Sequence, residues 1–167
     1  GMSPREAGFV LVAQPIVMAF GSPYACRLSD RIEPRVLASA GMGGIAAGLL
    51  LFVFLTESTP IPLIVAGLMV LGAGFALFSS PNANAVMGAV EKEQYGVASG
   101  TLATMRLSGQ MMSIGIAMLV FALVVGREQV SAENAGKFLV GVRIAFGVFV
   151  VLCAGGVLAS LARGRVR

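Results

Sequence analysis

Histidine and tryptophan are missing from this chain altogether, and only two cysteines occur, Cys26 and Cys153. Without histidine there is no His-based catalytic triad and no imidazole for haem or metal, and two cysteines far apart in sequence, with no CxxC spacing, cannot build a zinc site. Charge is almost as scarce. Only 12% of the residues are charged, against about a quarter in soluble globular domains. The eight acids, Glu6, Asp30, Glu33, Glu57, Glu91, Glu93, Glu128 and Glu133, all fall at the ends of apolar segments or between them. No clustered nucleophile, acid pair or metal-ligand set lies at one depth, so an enzyme is disfavoured and no metal or cofactor is expected. The formal charge of +4 would suit a nucleic-acid binder only if it formed a basic stripe with base-reading aromatics, and no such stripe exists, so no nucleic-acid partner is expected.

What is abundant is apolar surface. Hydrophobic residues make up 57% of the sequence and mean hydropathy is +0.89. A segment of roughly 20 apolar residues crosses a hydrocarbon core about 30 Å thick. Five stretches are long enough, at 7–26, 36–56, 61–80, 97–125 and 138–162, separated by short polar breaks. The expected fold is therefore an all-α integral membrane bundle with the lipid bilayer as its first partner.

The basic residues orient it. The first and third breaks and the tail hold Arg27, Arg31, Arg35, Lys92, Arg163, Arg165 and Arg167, while the opposite side holds Arg5, Arg127 and Lys137. By the positive-inside tendency the first group is cytoplasmic, which puts the N-terminus outside and the C-terminus in the cytoplasm. An external start at Gly1 with no signal-like region leads to the expectation that further helices precede it and that the chain is a fragment of a larger permease.

Gly41, Gly44 and Gly48 are spaced three and four apart and share one face of the second segment, where they allow another backbone to approach closely. Any membrane bundle needs such faces, whatever it does. Pro15 and Pro23 favour a bend in the first segment, and Gln14 adds a polar side chain at membrane depth.

The fourth segment is the most informative. At 100° per residue Ser99, Ala103, Arg106, Gln110 and Ser113 form a narrow stripe, with Thr101, Thr104, Ser108 and Gly115 nearly opposite. Arg106 lies about 15 Å from the start of the helix, too deep for lipid, so it meets protein, water or a passing molecule. It is either a pathway residue or a lock on neighbouring helix-end carbonyls. Arg143, about six residues inside Lys137, can extend to the outer interface. Phe75 and Phe78 on the third segment are candidates for a cavity wall, or else ordinary lipid-facing or core aromatics.

The first break reads SPYACRLSDRIEPR over residues 22–35. Its Arg27, Asp30, Arg31 and Arg35 surround one acid with bases, which holds the loop at the headgroups and lets Asp30 face a helix N-terminus. This loop resembles the G-x-L-x-D-R-x-G-x-R signature of major facilitator transporters, with Cys26 and Glu33 standing where glycines are usual. Together with GMSPREAGFVLVAQPI at the start, GAGFALFSSPNANAVMGAV at 72–90 and GVASGTLATMRLSGQ at 96–110, the chain resembles the fourteen-helix drug:proton antiporters of EmrB/QacA type.

The resemblance implies that the five segments are the second to sixth helices of a C-terminal six-helix bundle in the inner cell membrane, with the N-terminal half absent. The first and fourth segments would line the interface between halves, the third would face the cavity, and the second and fifth would lie outside. It further implies proton-coupled export of drug-like or amphipathic small molecules by alternating access. With no acid at membrane depth here, the coupling carboxylate would belong to the missing half. The competing reading is a non-transporting, oligomeric membrane scaffold or truncated gene product, which glycine-rich helix faces suit equally well.

Overall fold

The computed structural model describes residues 3–126 and 135–162, and Arg127, Glu128, Glu133, Arg163, Arg165 and Arg167 lie outside them. The described residues form five long helices and no strands: α1 (Pro4–Ser29), α2 (Pro34–Val53), α3 (Ile61–Gly88), α4 (Tyr95–Val124) and α5 (Ala135–Ala162), with a single 3₁₀ turn at Lys92–Gln94. All five are long and apolar enough to cross a membrane.

The helix limits follow local chemistry. At the start of α1, Glu6 N–H donates to Ser3 Oγ at 3.3 Å and Ser3 N–H donates to Glu6 Oε2 at 2.8 Å, a reciprocal cap that satisfies two otherwise free donors. The helix begins three residues before the apolar segment and continues unbroken through Pro15 and Pro23. α2 stops at Val53, short of the expected 56. Thr59 Oγ1 accepts the Thr56 N–H at 2.7 Å, and such a hydroxyl competes with helical pairing. α3 runs two turns past residue 80 with Pro81 inside it, because the polar run of serines and asparagines there is helix-compatible once tertiary contacts support it. α4 ends through Gly126, whose φ of 76° and N–H to the Phe121 carbonyl form a left-handed C-terminal cap.

α3 is the central helix. α1 and α2 pack on it from different sides and barely touch each other, α5 packs on α2, and α4 packs on α5 and more lightly on α3. The pairings Gln14 with Gly72, Gly21 with Ala76 and Cys26 with Asn84 make α1 and α3 parallel. The pairings of Gly48 with Leu71 and Phe52 with Gly67 make α2 and α3 antiparallel. Ser39 with Ser160 and Phe52 with Phe146 do the same for α2 and α5. The C-terminal ends of α1, α3 and α5 therefore share one side of the bundle with the N-terminal ends of α2 and α4. Among the described residues Arg27, Arg31, Arg35 and Lys92 lie on that side, and Arg5 and Lys137 on the other.

α2 and α3 meet backbone to backbone. A Cβ added at Gly41 would stand 2.6 Å from Phe78 N and 2.8 Å from the Gly74 carbonyl; one added at Gly74 would stand 2.8 Å from Ile45 N and 2.9 Å from the Gly41 carbonyl. Gly44 faces Gly74 at 3.4 Å and Gly48 faces Leu71. Pro81, which is fully buried, removes the helical donor for the Leu77 carbonyl, in the same turn that Gly41 approaches. Around this crossing Ile45, Phe52, Leu68 and Leu71 form the core, and Phe78, Phe146 and Cys153 pack against it. The second segment is the most enclosed of the five spans within this chain, with α3 on one face and α5 on the other.

Gly74→Leu should drive α2 and α3 apart, at a cost of about 1–3 kcal/mol from overpacking. The expected readout is a lowered thermal midpoint in detergent. Gly43→Ala, with nothing within 4 Å of the added carbon, should leave that midpoint unchanged.

Candidate functional site

Arg106 points from α4 to α3, where its Nη2 donates to Ser79 Oγ at 2.8 Å. Arg106 is 11 residues from the start of α4 and Ser79 is nine from the end of α3. Both therefore lie about 14–16 Å from the basic side of the bundle. The guanidinium is exposed in the described chain, and Ser79 is neutral. Among the described residues no carboxylate pairs with Arg106. Placed in hydrocarbon it would cost about 2.5–3.5 kcal/mol, which disfavours a lipid-facing position for this side of the α3–α4 seam.

The other pathway candidates divide. Gln110 is one helical turn beyond Arg106, and Phe75 is one turn beyond Ser79 in the same direction; both are exposed. By helical spacing Gln110 shares the face of Arg106 on α4, and Phe75 that of Ser79 on α3. Gln14 lies at a similar depth on α1, half-buried, with its carbonyl close against Gly72 of α3. Phe78 is not beside them. It packs on the core between α2 and α3, because it shares the face of Gly74 and not that of Ser79.

At the basic side, the expected loop is mostly helix. Arg27 sits in the last turn of α1, Asp30 caps that helix, and Arg35 lies in the first turn of α2. Arg35 Nε donates to Glu33 Oε2 at 2.8 Å. The side chain of Asp30 is exposed and makes no hydrogen bond or ion pair among the described residues. Cys26 holds α1 to α3: Asn84 Nδ2 donates to its Sγ at 3.1 Å and lies 3.4 Å from Ser29 Oγ. Both residues that depart from the signature, Cys26 and Glu33, thus carry a side-chain contact that glycine cannot make. A groove of about 480 Å³ opens nearby between α1 and α3, walled by Val17, Leu28, Ala73 and Leu77, with Tyr24, Arg27 and Arg31 also lining it.

Sequence reasoning did not single out Ser79, Asn84, Ser39 or Ser160. Ser39 is buried; its hydroxyl donates to the Arg35 carbonyl at 2.7 Å and lies 2.9 Å from Ser160 Oγ, tying α2 to α5. Ser39, Ser79 and Ser160 are buried or half-buried hydroxyls inside apolar helices, where a polar group needs a partner, whereas Asn84 is exposed; their polarity in sequence names no partner. Arg143 is half-buried, and its Nε is enclosed without a hydrogen-bond partner among the described residues.

The sequence profile of the Major Facilitator Superfamily matches residues 1–166. This chain belongs to the major facilitator superfamily. Among curated relatives in this transporter family, it is 36% identical over 123 residues to the uncharacterized transporter YebQ of Escherichia coli (strain K12), covering 74% of this chain and 26% of the relative. It is 30% identical over 105 residues to the riboflavin transporter RibZ of Clostridioides difficile (strain 630), covering 63% and 23%. It is 34% identical over 119 residues to the multidrug resistance protein Stp of Mycobacterium tuberculosis (strain ATCC 25618 / H37Rv), covering 71% and 22%. The matched region is about a quarter of the length of these relatives. No solved structure matches.

Ser79→Ala should remove the anchor of Arg106 at a cost of about 1–2 kcal/mol, the range for interhelical hydrogen bonds in model membrane peptides. The thermal midpoint in detergent should fall, and Ser79→Thr, which keeps the hydroxyl, should restore most of it.

Proposed function

We propose that this chain supplies most of the C-terminal six-helix bundle of a fourteen-helix drug:proton antiporter, an inner-membrane carrier that exports drug-like or amphipathic small molecules by alternating access. The observation that carries the reading is the polar seam between α3 and α4. A charged residue held at membrane depth by a neutral hydroxyl, beside an amide and an exposed ring, is the kind of sparse polar lining that small-molecule pathways use. The printed names of two relatives, a multidrug resistance protein and a riboflavin transporter, favour organic cargo.

Proton coupling needs a titratable group within the membrane. Since the acids among the described residues sit in the end turns of helices or between them, the reading assigns the coupling carboxylate to the N-terminal half. Arg27, Asp30, Arg31 and Arg35 then form a cytoplasmic gating loop against that half, with Asp30, which has no partner among the described residues, facing a helix N-terminus across the interface. The N-terminus of this chain is outside and its C-terminus cytoplasmic.

The test is dye transport by the full-length protein in inverted membrane vesicles. Accumulation of a fluorescent amphipathic dye should rise with an imposed pH gradient and collapse with a protonophore. Arg106→Ala should lower the rate about tenfold at equal expression. Dye movement that ignores the gradient would remove proton coupling, and absence of movement for a broad dye panel would remove the export reading.

A further inference from the structure

We infer that the α3–α4 seam is a binding site for organic anions, with Arg106 as the countercharge, Gln110 as a second polar contact and Phe75 as the ring against which the apolar body of the molecule lies. This deepens the transport reading above and rests on it. Arg106 carries a guanidinium whose only bond among the described residues is to the neutral Ser79, and none of the acids among the described residues pairs with it. A guanidinium in that position attracts a carboxylate, sulfonate or phosphate, and its planar fork can hold two oxygens at once.

The neighbours define the rest of the molecule. Gln110 and Phe75 each lie about 6 Å further from the basic side, one helical turn beyond Arg106 and Ser79 respectively. A ligand whose acidic group meets Arg106 would therefore place an aromatic or polar-aromatic body, one turn long, between the amide and the ring. Ser79 is an aid rather than a competitor. It holds the side chain across the seam and leaves the other guanidinium donors available, because a hydroxyl oxygen occupies only one of them.

Full-length protein in nanodiscs would be titrated with anilinonaphthalene sulfonate, with uncharged anilinonaphthalene, and with an ammonium-bearing analogue, and transport of each would be measured in vesicles. The sulfonate should bind and move best. Arg106→Ala should raise its KM and Kd roughly 10- to 100-fold while changing the uncharged compound little. Arg106→Lys should recover part of the loss, and Phe75→Ala should weaken sulfonate and uncharged compound alike. Equal loss of all three compounds in Arg106→Ala would make the residue structural and overturn the anion site. Wild-type transport of only the uncharged or ammonium compounds would also overturn it, yet leave export standing. Transport of none of the three, with sulfonate binding that depends on Arg106, would keep the site and sink the export reading.

Discussion

Direct backbone contact between α2 and α3 fixes where the other helices can go. In lipid the hydrophobic effect gives no reason for one apolar helix to prefer another over acyl chains, so association depends on dispersion contacts at close range and on the few polar bonds available. Gly41 and Gly74 bring the two backbones so near that neither can carry a side chain, and Pro81 is buried one turn away from the same crossing. With α2 committed to α3, the remaining faces of each are determined: α5 lies along α2 through Ser39, Met42 and Phe52, and α1 lies along α3 through Gly72 and Ala76. α4, which holds on to the group mainly through Phe121 and Phe138 at one end and Arg106 in the middle, is the least committed helix.

That distribution suits a carrier. Helices that exchange neighbours during a cycle need weak, reversible contacts, and helices that move as one body need tight ones. The tight set here is α1, α2, α3 and α5, joined by glycine contacts and by side-chain bonds at the basic side. α4 presents hydroxyl and methionine residues, among them Thr104, Ser108, Met111 and Met118, to the outside. Methionine adapts to more than one partner surface at low cost, so this face can be repacked without being rebuilt.

Much of the architecture was legible in the sequence because membrane helices obey a length rule that soluble helices do not. Five apolar runs gave five helices, and the departures were local: a threonine hydroxyl that closed α2 early and a proline that α3 absorbed. Placing Gly41, Gly44 and Gly48 on one face required only helical geometry. The choice of partner did not follow from it, since many glycines lie elsewhere with nothing within 4 Å. Arg106 was conspicuous by charge and depth, but Ser79 could be recognised only once α3 and α4 were seen side by side. Phe75 and Phe78 read alike in sequence and separate in space, because three residues along α3 turn one toward the open seam and the other into the core.

The length of α3 has a mechanical meaning. Its 28 residues extend about 42 Å, roughly 12 Å more than the hydrocarbon core. The excess includes the turn bearing Asn84, which is bonded to Cys26 near the end of α1. The bond therefore joins α3 to α1 close to the short connection between α1 and α2. The turns of α3 beyond its apolar stretch thus serve as an attachment point that fastens the last turn of α1 to the central helix.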